Sequence, residues 1–189
     1  MHRAFVVGVA LAVAACRMDN TAKGPSRYAL GRAATAAEVA ERDVDVSPDG
    51  AGLPAGRGTV AQGAALYVAQ CASCHGANGE GIPPYPKLIG RDPAAEGFPF
   101  GKDPRAARTI GNYWPYATTV FDYVRRAMPQ PAPGSLTDDQ VYAITAYLLA
   151  ANRIIPMTAT LDSASLAAVK MPYANRFVRD DRRGGKEVR

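Results

Sequence analysis

The chain has 189 residues, 48% of them hydrophobic, with 22 basic and 17 acidic side chains giving a formal net charge of +5. That length suits one domain with extensions and is cramped for two. The charge excess is too small to identify a partner, and with no nucleic-acid motif in the sequence, binding to DNA or RNA is not expected.

Taken in chain order, Met1-His2-Arg3 precedes an apolar run, Ala4 to Ala15, that is far too short to span a bilayer as a helix. Residues 1–15 therefore read as a signal peptide. The run ends Leu11-Ala12-Val13-Ala14-Ala15-Cys16, which resembles a bacterial lipoprotein cleavage box. Cys16 would then be the lipidated first residue, and multiple acyl chains suffice for stable attachment, so the expected location is the periplasm, at a membrane. Ordinary cleavage near Cys16, or a start codon placed too far upstream, is the competing reading. Residues 16–57 read as a tether and N-terminal extension, broken by Gly24-Pro25, Ser47-Pro48-Asp49-Gly50 and Gly52-Leu53-Pro54-Ala55-Gly56, with a short helix near 35–41.

The first strong helix is expected over 59–70, where Val60, Gly63, Ala64 and Tyr67 fall at helical spacing and should point inward. Gly63 lowers helix propensity. Close approach by another helix would account for it, and a merely tolerated glycine is the alternative.

Cys71-Ala72-Ser73-Cys74-His75 follows directly. Two thiols at this spacing with an imidazole beside the second form the attachment sequence for a c-type haem: the thiols add across the two vinyl groups and His75 is placed to ligate iron. A structural zinc site needs four nitrogen or sulfur ligands, and beyond residue 16 only Cys71, Cys74 and His75 are on offer. A thioredoxin-like motif belongs near a βαβ pattern, whereas the flanks here read as helix and then a glycine- and proline-rich loop. With Cys16 assigned to lipid and Cys71 and Cys74 to haem, none of the 3 cysteines is left for a disulfide.

After His75, Gly76, Gly79 and Gly81 allow tight turns, and Pro83-Pro84-Tyr85-Pro86 forbids a helix. A backbone carbonyl in this loop, with Pro86 the candidate, can accept a hydrogen bond from the His75 nitrogen that faces away from iron. The alternative is that Pro86 only stiffens the loop. Met128 is the expected second iron ligand, held in the stiff loop Arg126-Ala127-Met128-Pro129-Gln130-Pro131-Ala132-Pro133-Gly134, with Met157 and Met171 as competitors.

The helix before this loop is expected over 116–127, with Val120, Phe121 and Val124 as its apolar stripe. The next, over 137–152, opens with Thr137 and Gln140 as a capping box and with Asp138 and Asp139 near its positive end. Val141, Ile144, Ala146, Tyr147 and Leu148 give it a wide apolar face, suited to crossing the first helix near Gly63 and Tyr67. Arg91, Trp114 and Tyr116 are candidate donors to haem propionates, with simple packing or solvation an equal alternative. Residues 156–189 mix Leu161, Leu166, Val169, Met171, Tyr173 and Phe177 with arginines, and read either as a partner-binding arm or as a tail folded back on its own core.

Gly63, Tyr67, Cys71 to Gly76, Pro86-Lys87-Leu88-Ile89-Gly90, Met128-Pro129 and Leu136-Thr137-Asp138 together resemble class I cytochrome c, over residues 58–155. The resemblance implies an all-α fold of three to five helices around one covalently attached haem, with His75 and Met128 axial and the Pro86 carbonyl bonded to His75. Two protein ligands leave no open position for a substrate, so electron transfer rather than catalysis is expected.

A narrower set extends outside that core: Tyr28-Ala29-Leu30-Gly31-Arg32, Val46-Ser47-Pro48-Asp49-Gly50-Ala51-Gly52-Leu53-Pro54, Trp114-Pro115-Tyr116-Ala117-Thr118-Thr119, Phe121 to Pro129 and Lys170-Met171-Pro172. These are similar to the cytochrome subunits of bacterial sulfite and sulfane-sulfur dehydrogenases, in which a molybdenum-cofactor subunit oxidises the sulfur compound and passes electrons singly to haem. The single attachment motif departs from the longer two-haem sulfane-sulfur members, so the sulfite branch is the better expectation. The partners implied are a molybdenum-cofactor sulfite dehydrogenase subunit and a downstream cytochrome or oxidase. A general periplasmic shuttle between another dehydrogenase and a terminal oxidase is the alternative; a haem enzyme or sensor with a dissociating Met128 is the third reading.

Overall fold

Three of the described helices from residue 59 onward begin at reciprocal caps, in which a side-chain oxygen accepts the backbone N–H three residues on and that residue's side chain accepts the cap's own N–H. Thr59 and Gln62 form one such box, Thr137 and Gln140 a second, Asp162 and Ser165 a third. Each satisfies two otherwise orphaned donors and contributes about 1 kcal/mol. In the computed structural model, residues 30–91, 98–101, 103 and 105–178 are described; Cys16, the signal-peptide reading and residues 179–189 lie outside them.

The elements run α1 (Ala36–Arg42), β1 (Arg57–Thr59), α2 (Val60–Gln70), α3 (Ala72–His75), α4 (Ala117–Ala127), α5 (Asp138–Ala151), β2 (Thr160–Asp162) and α6 (Ser163–Ala167), with 3-10 turns at Pro99–Gly101 and Ala174–Arg176. The architecture is mostly helical. Residues up to Val39 form one unit and those from Ala40 onward another. In the first, Thr35 and Glu38 cap the start of α1, and Arg32 pairs with Glu38. No residue of α1 is buried. No helix among the described residues is long and apolar enough to cross a membrane.

In the second unit α5 is central. Val141, Tyr142, Ile144, Ala146, Leu148 and Leu149 are all buried, so the helix is apolar nearly all round and packs on α2, α4 and both strands. Its closest neighbour is α2. A Cβ built at Gly63 would lie 1.8 Å from the Ala143 carbonyl oxygen, and one at Gly58 would lie 2.2 Å from the Ala143 nitrogen. Glycine at 63 is thus required by the helix crossing, and its loss of propensity is offset by contact that no larger residue permits.

β1 and β2 form a two-stranded antiparallel sheet, with Gly58 opposite Leu161, that the sequence reading did not contain. It ties residue 58 to residue 161 across almost the whole second unit. Beyond it, Leu161, Leu166 and Met171 are buried in the shared core, each contributing roughly 1.5–3 kcal/mol relative to exposure. Phe98, Phe100, Tyr113, Tyr173 and Phe177 form an aromatic cluster with centroids 4.9 to 6.0 Å apart. The described C-terminal segment therefore folds back on its own core.

Residues 44–57, which the sequence reads as part of a tether, are held on α4 and α5 by side chains distant in sequence. Asp122 accepts the Val46 N–H at 2.9 Å, Arg125 donates to Val44 O at 3.0 Å, Thr118 donates to Pro48 O at 3.0 Å and Tyr142 donates to Pro54 O at 2.8 Å. Asp122 also pairs with Arg126 one turn on. Burial pushes its carboxyl up, but the bonds from Arg126 and Val46 and the charges of Arg126 and Arg125 outweigh that and hold it below the usual carboxylate range.

Replacing Asp122 by Ala removes a charge-assisted bond at each end of this anchor, and a loss of about 1.5–3 kcal/mol is expected at pH 7. Because Asp122 titrates lower in the folded chain than at its unfolded value of about 3.9, its stabilisation is complete above that pH and disappears as pH falls through the folded value. Denaturant unfolding of wild type and Asp122→Ala at pH 7 and at low pH measures both; the gap between them should close on acidification.

Candidate functional site

α2 delivers its last turn directly into the Cys71–His75 motif. Cys71 caps α2 through its N–H to Tyr67 O and starts α3, the single turn that carries Cys74 and His75. Both cysteines are free and half-buried. Burial, and then the neighbouring Cys74, push the Cys71 thiol up to about 11. That is opposite in direction to the depressed thiol of a disulfide oxidoreductase.

The loop from Gly76 to Gly90 folds back over His75. Gly81 donates to His75 O at 2.8 Å, Ile82 to Cys74 O at 3.2 Å, and Leu88 and Ile89 both to Gly79 O at 2.8 and 3.1 Å. The turns need positive φ at Gly76, Gly79 and Gly81. This folding brings Pro86 O to 2.9 Å from His75 Nδ1. With Nδ1 donating to that carbonyl, Nε2 carries the lone pair and is the atom available to a metal. Tyr67 is completely buried, packs on Tyr147 at 5.1 Å and donates to Gly76 O at 2.9 Å, so the last turn of α2 also holds the start of the loop. Burial raises the Tyr67 phenol above its ordinary value, keeping it a donor.

Met128 ends α4: its N–H bonds Val124 O at 3.1 Å, and its half-buried side chain packs against the core. Met157 is 61% exposed and Met171 only 7%. Trp114 does not have a free donor, because its indole N–H bonds Thr119 Oγ1 at 2.9 Å. Tyr116 is exposed. Arg91 donates from Nη1 to Arg153 O at 2.7 Å, while its buried Nε has no partner among the described residues. Among the described residues no group of three or more His, Cys, Asp or Glu side chains clusters as a metal site.

A family model described as Cytochrome c matches residues 60–152. Among solved structures, a chain of the sulfane dehydrogenase SoxCD from Paracoccus pantotrophus is 43% identical, with 80% of this chain and 72% of that chain covered and a TM-score of 0.70. The chain belongs to the cytochrome c family. A second structure, the thiosulfate dehydrogenase TsdBA from Marichromatium purpuratum, is 26% identical over 49% of this cytochrome and 18% of that chain, at a TM-score of 0.36 too low to carry a structural argument. No curated protein matches it.

Family membership implies a covalently bound haem c, and the residues of this cytochrome fit one. The two free thiols lie within one turn of His75, whose ring is oriented by Pro86 O. Arg91 offers a buried guanidinium nitrogen with no partner among the described residues, suited to a carboxylate-bearing group. When bound, haem supplies a one-electron couple, and the cytochrome is an electron-transfer protein. The chain's part is to hold His75 in one tautomer and orientation and to keep the loop around it rigid, so that little rearranges as charge changes.

The sequence places Tyr67 on the inward face of α2 and among the residues that carry the cytochrome c resemblance; its hydroxyl bond to Gly76 has no local sequence signal. Tyr67→Phe keeps the ring packing but leaves the Gly76 carbonyl unpaired in a buried place. A loss of about 1–3 kcal/mol is expected in denaturant unfolding of the holoprotein, with the haem still covalently attached.

Proposed function

We propose that this cytochrome is an exported single-haem electron carrier, ligated by His75 and Met128, that accepts electrons from a molybdenum-cofactor dehydrogenase acting on an inorganic sulfur compound and passes them to a downstream cytochrome or oxidase. The observation that carries the electron-transfer reading is the 2.9 Å contact between His75 Nδ1 and Pro86 O, which leaves the ring's other nitrogen available to iron. Ligation by Met128 is supported by its place in a proline-stiffened loop at the end of α4, where a thioether is held without a large entropy cost; as a ligand it favours the reduced state. Attachment of the mature chain to a membrane through a lipid on Cys16 belongs to the same proposal and rests on the residues around Cys16.

Two sulfur substrates are supported by different observations. The single Cys71-Cys74-His75 attachment motif favours a sulfite-oxidising partner. The 43% identity to a chain of a sulfane dehydrogenase favours a partner oxidising sulfane sulfur.

Purification of the exported native protein under mild conditions, with molybdenum analysis and stopped-flow haem reduction by each donor, separates them. Molybdenum with rapid reduction by sulfite supports the first, and reduction by a sulfane-sulfur donor alone supports the second. Haem without molybdenum, and with no response to either donor even after a sulfite dehydrogenase is added, overturns the dedicated role in favour of a general shuttle.

Ligation by Met128 has its own test. Met128→Ala should keep both thioether bonds, lose the low-spin spectrum of the wild type at neutral pH and bind carbon monoxide readily when reduced, whereas the wild type should bind it poorly. Ready binding by both proteins would remove Met128 as a ligand.

A further inference from the structure

The end of α5 grips the segment that carries the hydrogen-bond acceptor for His75. Asn152 is 0% exposed. Its Oδ1 accepts the Gly90 N–H at 3.0 Å, and its Nδ2 donates to Leu88 O at 3.2 Å and to Leu148 O at 2.8 Å. One amide therefore bridges the last turn of the helix to both sides of Ile89. The next residue adds a second tie. Ile154 N–H bonds Leu149 O at 3.0 Å and Arg153 N–H bonds Ala150 O at 2.8 Å, closing the helix with Arg153 at a left-handed φ of 56°. The Arg153 carbonyl then accepts Arg91 Nη1 at 2.7 Å. Gly111 makes room for this clamp, since a Cβ there would lie 2.4 Å from Asn152 Oδ1 and 2.7 Å from Arg91 Cβ.

The same segment is confined from the other side. Leu88 and Ile89 donate to Gly79 O, and a Cβ at Gly81 would lie 2.7 Å from Lys87 N and 3.0 Å from the Pro86 carbonyl carbon. The Pro86–Lys87 peptide is thus pressed against Gly81, while Leu88, two residues after Pro86, is held by Asn152. The ring of Pro86 fixes its φ as well. Little freedom is left for the carbonyl that faces His75 Nδ1.

We propose that Asn152 is a positioning residue for the His75 imidazole: by holding Leu88 and Gly90 it fixes the direction and length of the His75 Nδ1–H to Pro86 O bond, and through it the reduction potential of the iron. A ligating histidine whose outer N–H is firmly bonded is a stronger donor and stabilises the oxidised metal. Loosening Asn152 weakens that bond, makes His75 a weaker donor and raises the potential. The inference rests on the reading that His75 ligates iron through Nε2.

The test uses wild-type holoprotein with Asn152→Ala, Asn152→Asp and, as a control, Thr145→Ala, which alters a buried α5 side chain whose hydroxyl has no partner. The readouts are the midpoint potential and proton NMR of the reduced protein, following exchange of the His75 Nδ1–H. Absence of a ligated, exchange-protected His75 signal in the wild type overturns the ligand reading itself.

If that signal is present, Asn152→Ala is expected to speed its exchange at least tenfold. It should also shift the oxidised-to-reduced ratio at fixed potential by roughly three- to tenfold towards the reduced form, at most about 59 mV for one electron. Asn152→Asp, which keeps an acceptor for Gly90, should fall between wild type and Ala, and Thr145→Ala should move neither readout. Unmoved exchange and potential in folded Asn152→Ala overturn the inference, as does an equal shift in Thr145→Ala. Should Asn152→Ala yield no holoprotein, the same readouts on Asn152→Asp decide, a smaller shift in the same direction supporting the inference and no shift overturning it.

Discussion

The backbones of α2 and α5 meet at Gly63 with no side chain between them, and a methyl group there would sit 1.8 Å from the Ala143 carbonyl oxygen. Everything around His75 inherits its position from that crossing. α2 runs from the crossing into Cys71, so the axis of α2 decides where the two cysteines and His75 lie. α5 runs from it to Asn152, which holds Leu88 and Gly90. The two arms of the crossing therefore converge on one imidazole, α2 through the peptide chain and α5 through the loop that supplies Pro86 O.

Three polar groups of this core sit at joints. Asp122 joins α4 to the Val46 backbone, Tyr67 joins α2 to Gly76, and Asn152 joins α5 to the 88–90 segment. Each is buried with partners for its hydrogen-bonding atoms, the condition under which a buried polar group specifies geometry instead of merely costing desolvation. Packing of Val120, Phe121, Ile144 and Leu149 supplies the bulk of the burial but would tolerate small slips that these bonds do not.

What could be read from the sequence was local. Periodicity placed α2, α4 and α5 to within a residue or two, and Thr137 with Gln140 marked the start of α5 by its cap. The attachment motif placed the chemistry, and proline geometry pointed to the loop in which Pro86 faces His75. The β1–β2 pair was not legible, because two three-residue strands about a hundred positions apart carry no local period. Residues 44–57 look like a linker by their glycines and prolines, since the groups that hold them, Asp122, Arg125 and Tyr142, are supplied from far along the chain. Asn152 similarly reads as an ordinary helix end, and Trp114 as a free donor until Thr119 is seen beside it.

The pairing of Gly58 with Leu161 also closes a loop of about a hundred residues, within which Cys71, Cys74 and His75 all lie. A contact so distant in sequence carries a large closure entropy and raises the contact order, which lowers the folding rate. The attachment motif therefore sits inside a topologically closed segment, and joining the ends of that segment weighs on the rate at which the whole second unit folds.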